Sequence, residues 1–375
     1  MAADIQPIVM PKWGLAMEEG VVTAWHVGEG ATISKGQEIA DIETSKIANV
    51  FESPVTGTIR KLVAQPGETL PVGALLAVVA DKGTSDSDLD AFVAKFAEAL
   101  KEALAAKATE KKPEPETVEI AGGRKIRYLR LGSGEGAPVV FIHGYGGDLN
   151  NWLFNQEALA EHRTVYTLDL PGHGGSSKDV GAGDLASMTA ALAAWMEALG
   201  IARAHLVGHS MGGAVALQLA STQPGKVASV TGICPAGLGP DVAMDYINGF
   251  IDASRGKKLE PILQMLVANP ALVTRDMIED VLKFKRIDGV DVALKKMRDA
   301  LFPGGRQAVV LRDGLAKLSQ PVQVIVGAKD RVLPSAAHAK GLPANVKVHV
   351  FENAGHMPHM EASSDVNRLI AEIVG

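Results

Sequence analysis

Between about Val118 and Gly375, apolar runs the length of single strands take turns with helix-forming stretches. The runs are "APVVFIHG", "RTVYTLDL", "AHLVGHS", "KVASVTGIC", "PVQVIVGAKD" and "VKVHVFENAG"; stretches such as "DLASMTAALAAWMEALG" and "GGAVALQLASTQ" lie between them. A strand reached through a crossover helix pairs parallel to its predecessor, so this rhythm predicts a parallel sheet with helices on both faces. From about 238 to 318 the rhythm stops and the sequence looks helical throughout, which predicts a helical cap inserted between two strands.

Within that frame "GHSMG" (Gly208 to Gly212) follows the strand "AHLV" and opens the helix "GAVALQLA". A sharp turn there would project the Ser210 hydroxyl above the sheet, with Gly208 and Gly212 required because side chains would collide with the neighbouring strand and helix. A serine hydroxyl is a weak nucleophile until a base takes its proton, so an acid and a histidine should follow it in that order. Asp330 stands just past a strand in "VIVGAKDRVLP", and His356 stands in the loop "ENAGHMPHME" after the last strand, where His359 competes with it. Upstream, "FIHGYGGD" is a strand followed by a His-Gly-x-Gly loop, whose Tyr145 N–H would join that of Met211 in stabilising an oxyanion. Each piece has a bland reading, since a lone G-x-S-x-G arises by chance and Asp330 could merely cap a loop. Four pieces in the right order and context favour a serine enzyme.

The first eighty residues contain a duplication. With "GVVTAWHVGEGATISKGQEIADI" laid over "GTIRKLVAQPGETLPVGALLAVV", Gly30 falls on Gly67, Gly36 on Gly73, Ile39 on Leu76 and Ile42 on Val79. This predicts an all-β unit over residues 4–80, two similar half-sheets packed as a small sandwich, with Lys46 of "DIETSKIANV" in the link between the halves. Residues 81–117 form a linker: "SDLDAFVAKFAEALKEALAAKA" sets Leu89, Phe92, Val93, Phe96 and Leu100 on one helical face, and "TEKKPEPET" beyond it is charged and proline-rich. The helix either rests on a neighbouring domain or docks a partner.

Composition narrows the field further. Thirty-seven basic against forty-three acidic residues give a net charge of −6, which disfavours broad capture of nucleic acid or of an anionic membrane. One cysteine, Cys234, excludes an intrachain disulfide framework. The start "MAADIQPIVMPKWG" lacks a basic segment leading into an apolar one, and a cytoplasmic location is expected.

On these motifs, together with "DLPGHGGSS" (Asp169 to Ser177), residues 118–375 resemble an α/β-hydrolase fold domain. That fold hosts esterases, C–C hydrolases and acyltransferases alike. The first eighty residues resemble a lipoyl or biotinyl domain, in which the modified lysine sits at a hairpin turn; Lys46 has that place. Biotinyl hairpins commonly read Met-Lys-Met and lipoyl hairpins Glu-Thr-Asp-Lys-Ala, so Glu43 and Thr44 favour lipoate while Ser45 and Ile47 depart from both. The opening "MPKWGLAMEEGVV" also looks like lipoyl domains of 2-oxo-acid dehydrogenase acyltransferases. Their usual His-x-x-x-Asp-Gly motif is missing, for Phe284 and Val309 stand where its histidine would precede Asp288 and Asp313.

A lipoyl domain fused to a serine-enzyme domain is similar to the dihydrolipoyllysine-residue acetyltransferase family of acetoin dehydrogenase complexes. The resemblance implies lipoate on Lys46, coenzyme A as acyl acceptor, a thiamine-diphosphate-dependent acetoin-cleaving partner and dihydrolipoamide dehydrogenase; it leaves oligomeric state open. It implies acetyl transfer through Ser210, with His356 as base, Asp330 orienting it, and Tyr145 and Met211 at the oxyanion; direct transfer without an acetyl-serine stays open. Two rivals remain: a thioesterase or ester hydrolase with a lipoyl appendage, and a non-catalytic carrier scaffold. Lys257, Lys258, Lys283, Lys285 and Arg286 of the cap either meet the coenzyme's phosphates or form a solvated surface.

Overall fold

The computed structural model describes residues 5–13, 17–44, 48–107 and 113–375, and the chain divides into two units, 1–112 and 113–375. In the first unit the duplication becomes a pseudo-twofold. Its strands are β1 (Gln6–Val9), β2 (Glu19–Trp25), β3 (Thr32–Ile33), β4 (Glu38–Glu43), β5 (Ala48–Glu52), β6 (Gly57–Leu62), β7 (Glu68–Pro71) and β8 (Leu75–Val79). They form two four-stranded sheets, β1-β8-β6-β3 and β5-β4-β2-β7, and the second order maps onto the first when each strand is replaced by its counterpart in the other half. Paired glycines adopt the same left-handed backbone, Gly30 and Gly67 at φ +86° and Gly36 and Gly73 at φ +83°, a conformation that side chains disfavour. The halves are clasped reciprocally: Gly30 N–H donates to Ile59 O at 2.7 Å and Gly67 N–H to Val22 O at 2.8 Å. Ile8, Val22, Ile33, Ile39, Ile42, Ile59 and Leu76 fill the space between the sheets.

Strands β4 and β5 pair antiparallel, with Glu43 opposite Ala48. Lys46 belongs to the short link between them and lies outside the described residues.

Helix α1 (Asp86–Lys107) carries the apolar face read from the sequence, and it lies on the outer side of β8. Leu89 is 2% exposed among Leu75, Val78 and Ala80, with Phe92, Val93 and Phe96 packed alongside. Every residue of β8 is therefore buried. By its packing the helix belongs to the β unit, so most of the stretch from Asp81 onward is not free chain.

The second unit is built on an eight-stranded sheet. In chain order its elements are β9 (Glu116–Ile120), β10 (Arg124–Leu131), β11 (Val139–Ile142), α2 (Gln156–Ala160), β12 (Val165–Leu168), α3 (Leu185–Ala198), β13 (Ala204–His209), α4 (Met211–Thr222) and β14 (Val227–Ile233). After these come α5 (Met244–Asp252), α6 (Gly256–Leu263), α7 (Arg275–Lys285), α8 (Val290–Leu301), β15 (Val322–Gly327), α9 (Ser335–His338), β16 (Val346–Phe351), α10 (Pro358–Glu361) and α11 (Ser363–Val374). The spatial order is β16-β15-β14-β13-β11-β12-β10-β9. From β12 to β16 the pairing is parallel, as the alternation of runs and helices predicts, while β10 and β9 add an antiparallel edge. Strands β11, β12 and β15 are buried along their whole length, which explains their unbroken apolar runs. The cap helices α5 to α8 fall between β14 and β15, inside the span expected for the insertion. No helix among the described residues is long and apolar enough to cross a membrane.

Candidate active site

Ser210 occupies the one-residue turn between β13 and α4 with φ +50° and ψ −116°, a strained backbone for a residue with a side chain. Its neighbours dictate this. A Cβ on Gly208 would lie 2.2 Å from Gly212 O, and a Cβ on Gly212 would lie 2.2 Å from Ile142 O in β11. Both positions face backbone that cannot give way, so the turn closes only with glycine there, and Ser210 takes up the strain.

Asp330 follows β15. One carboxylate oxygen accepts from the N–H groups of Val332 and Leu333 at 2.9 and 3.0 Å; the other lies 2.8 Å from His356 Nδ1. Both side chains are almost wholly buried, at 1% and 2% exposure. Burial pushes the Asp330 carboxyl up, but the facing His356 ring and the two N–H donors outweigh it and hold the group below its ordinary value. His356 is fixed on its backbone side as well. Its N–H donates to Leu266 O at 2.8 Å, and its carbonyl accepts from His209 Nε2 at 2.9 Å.

The rival His359 is fully buried between Trp152 and His209, with ring centroids 4.7 Å from each. Neither ring nitrogen has a partner among the described residues, and burial pushes its pKa down to about 3, so it stays neutral. Of the two histidines in the loop, only His356 reaches an acid.

The loop after β11 is held by two further histidines. His143 Nε2 accepts from Leu170 N at 2.9 Å, which leaves its Nδ1–H to donate to Gly144 O at 2.7 Å. His173 Nε2 accepts from Gly146 N at 3.1 Å, and the Tyr145 hydroxyl donates to Leu294 O in α8 at 2.7 Å. Behind them the buried Asp169 carboxylate binds Arg127 Nε at 2.6 Å and the N–H groups of Leu149 and Gly175. With Gly146 engaged, the N–H groups of Tyr145 and Met211 stand without an acceptor among the described residues. Tyr145, Met211, Ser210 and His356 line one cavity, roofed by Tyr246, Ile247 and Phe250 of α5, Leu263 of α6, Met277 and Val281 of α7, and Phe302. Ser210 and His356 share this cavity without a direct hydrogen bond between them.

Cys234 sits behind the acid: its sulfur, an Asp330 oxygen and a His356 nitrogen lie within 4.8 Å of one another. Burial, reinforced by the Asp330 charge, pushes the thiol well up, so it packs there as a neutral group. In the cap, Lys285 donates to the carbonyls of Phe250, Ile251 and Ala253 at the end of α5, and Lys283 pairs with Asp280. Lys257, Lys258 and Arg286 are exposed. The reading of the sequence did not single out His143, His173, His209 or Asp169. Their signal was present in "FIHG", "DLPGHGG" and "GHS", but only the fold shows that they brace the loops around Ser210.

Comparison with known proteins agrees with this architecture. Residues 6–79 match the "Biotin-requiring enzyme" (biotin/lipoyl) family and residues 137–363 the alpha/beta hydrolase fold family. Among solved structures, a membrane phospholipase A described as a bacterial virulence factor shares 26% identity, with a TM-score of 0.61 over 76% of this chain and 94% of that one. A meta-cleavage product hydrolase from Pseudomonas fluorescens IP01 shares the fold at 24% identity and a TM-score of 0.62, over 69% of this chain and 97% of that one. The dihydrolipoyllysine-residue acetyltransferase component of the acetoin cleaving system of Pseudomonas putida is 48% identical over 98% of this chain and 97% of its own. Its counterpart from Cupriavidus necator is 45% identical over 100% and 99%. The chain therefore belongs, over essentially its whole length, to the family of dihydrolipoyllysine-residue acetyltransferase components of acetoin cleaving systems.

Proposed function

We propose that this enzyme passes an acetyl group from a dihydrolipoyl arm on Lys46 to coenzyme A within an acetoin cleaving system. The observation that carries the reading is the buried 2.8 Å pair of His356 and Asp330 on the cavity that Ser210 opens into, in a chain that also holds a lipoyl-type unit. The antiparallel pairing of β4 and β5, with Glu43 opposite Ala48, supports the attachment, because a lysine in the sequence that joins two such strands suits an amide-linked arm. When bound, that arm supplies the acyl group as a thioester.

His356, its Nδ1–H held by Asp330, presents Nε2 to the Ser210 hydroxyl and takes its proton as the oxygen attacks the thioester carbonyl. The N–H groups of Tyr145 and Met211 receive the oxyanion; one such donor is worth about 10²–10³ in turnover. The C–S bond breaks and His356 returns the proton to the leaving thiolate. Coenzyme A enters as a thiol, gives its proton to His356 and forms a C–S bond to the acetyl carbon; the acetyl C–O bond to Ser210 breaks and His356 returns the proton to the serine oxygen. We assign as partners a thiamine-diphosphate-dependent acetoin-cleaving component and dihydrolipoamide dehydrogenase, and as location the cytoplasm.

Ser210→Ala tests this reading: it should abolish acetyl-CoA formation from S-acetyl dihydrolipoamide while intact mass still shows one lipoyl group at Lys46. Near-normal transfer by the variant would remove the serine mechanism, and a biotinyl mass would overturn the arm. Release of acetate at one rate with or without coenzyme A would make the protein a hydrolase.

A further inference from the structure

The cavity above Ser210 extends beyond the place an acetyl group would take: its lining runs from the loops around Ser210 to Tyr246, Ile247 and Phe250 of α5, Leu263 of α6 and Met277 and Val281 of α7, whereas an acetyl group has only three non-hydrogen atoms. The lining also restricts what can fill it. Ile247, Phe250, Met277, Val281, Phe302 and Leu333 supply apolar surface, and among the described residues no lysine, arginine, aspartate or glutamate lines the space. Nucleotide phosphates would lose their hydration against this surface without meeting a charged partner, so the occupant that fits it is uncharged and mostly hydrocarbon. One polar group on the cap breaks this surface. Tyr246 is only 5% exposed and lines the cavity, yet its hydroxyl has no partner among the described residues. Burial raises its pKa, which keeps it a donor.

We propose that the cavity selects the thiol side of the acyl donor: a short unbranched alkyl chain lies along Phe250, Val281 and Phe302, and the carboxamide at its far end accepts a hydrogen bond from Tyr246. This rests on the reading of Ser210 as the acyl-transfer nucleophile and deepens it. The enzyme recognises the carrier arm rather than the acyl group, and the nucleotide of coenzyme A stays outside the cavity.

The test is calorimetric binding to full-length Ser210→Ala chain, in which no turnover occurs. Going from propane-1,3-dithiol to heptane-1,3-dithiol adds the four chain carbons of the arm and should lower Kd about a hundredfold, at about threefold to fourfold per methylene. Dihydrolipoamide, which adds the carboxamide, should bind about twofold to tenfold tighter still, and a further Tyr246→Phe substitution should erase that last step alone. Val281→Phe, filling the chain's space, should remove the gain with chain length; labelling of Ser210 by a phosphonate in the otherwise wild-type Val281→Phe chain reports that the fold is kept. Equal affinity along the thiol series overturns the proposal. So does a hundredfold gain on lengthening the acyl group of an N-acetylcysteamine thioester from acetyl to hexanoyl. Because no transfer is measured, failure of the wild type to form acetyl-CoA would remove the parent reading while this binding series stood or fell by itself.

Discussion

Asp330→Asn is the sharpest probe of the proposed chemistry, because the structure dictates how the amide must turn. One Asp330 oxygen accepts from two backbone N–H groups, Val332 and Leu333, and the other faces His356 Nδ1 at 2.8 Å. An amide whose NH2 faced Val332 and Leu333 would leave both donors orphaned in a site that is 1% exposed, at about 1–3 kcal/mol each. The amide oxygen must therefore keep them, and the NH2 must point at His356. That side chain then has to accept through Nδ1, which moves its proton to Nε2, the nitrogen required to receive a proton from Ser210. Losing a general base costs about 10²–10⁴, and the equivalent change in a serine protease costs about 10⁴. The expected loss is about 10³–10⁴ in acetyl-CoA formation from S-acetyl dihydrolipoamide. Asp330→Ala should lose less, since the imidazole is then free to choose its tautomer. The assay is transfer rate across neutral and alkaline pH, with phosphonate labelling of Ser210 in parallel. An Asp330→Asn enzyme within tenfold of wild type, or faster than Asp330→Ala, would refute the argument.

Two further predictions concern stability. His359 is neutral in the fold, with its pKa at about 3 against an ordinary 6.5, so its contribution is complete above pH 6.5 and declines as pH falls from there towards 3, by about 1.4 kcal/mol per pH unit. His359→Phe keeps a ring between Trp152 and His209 and should flatten the pH dependence of urea unfolding by about that slope; unchanged slopes would contradict it. Leu89→Ala should destabilise the β unit by about 2–5 kcal/mol, because Leu89 is 2% exposed against β8, and the loss should appear in the unfolding transition of that unit in the full chain. No shift would mean that α1 is not part of its core.

Alternation of apolar runs and helices made the parallel sheet legible, and the matched glycines made the two half-sheets legible, because both are periodic properties of the chain. The glycines of "GHSMG" were legible for a related reason. Gly208 and Gly212 each meet backbone at 2.2 Å, and a steric demand of that kind admits one residue type. What stayed hidden depends on contacts between distant segments. In "GHMPHME" His359 competes with His356 by position, and which ring meets Asp330 is decided by the crossing of the loops after β15 and β16. The docking of α1 was ambiguous because an apolar helical face shows that something covers it without naming the cover; β8, apolar on both sides, was the complementary clue. From its charge Lys285 belonged either to a phosphate site or to a solvated surface, whereas in the fold it closes the C-terminal end of α5.

The family's chemistry poses a problem that the serine site alone does not solve. Transfer between two thioesters is nearly balanced in free energy, whereas hydrolysis of an acetyl-serine runs strongly downhill, so in the proposed mechanism the outcome is set by which nucleophile stands beside His356. The base cannot choose, since it would deprotonate water and thiol alike. The cavity can. A buried water needs two to four polar partners to be held well. Apart from Ser210 and the histidines, the side chains that line the space offer little beyond Asn151 and Tyr246 against Ile247, Phe250, Leu263, Leu266, Met277, Val281, Phe302 and Leu333. The dihydrolipoyl arm that fills this surface displaces poorly held water at little cost, and in the proposed transfer the thiol of coenzyme A takes its place beside His356. On this account the cap that roofs the cavity, more than the residues around Ser210, turns a hydrolase scaffold toward transfer.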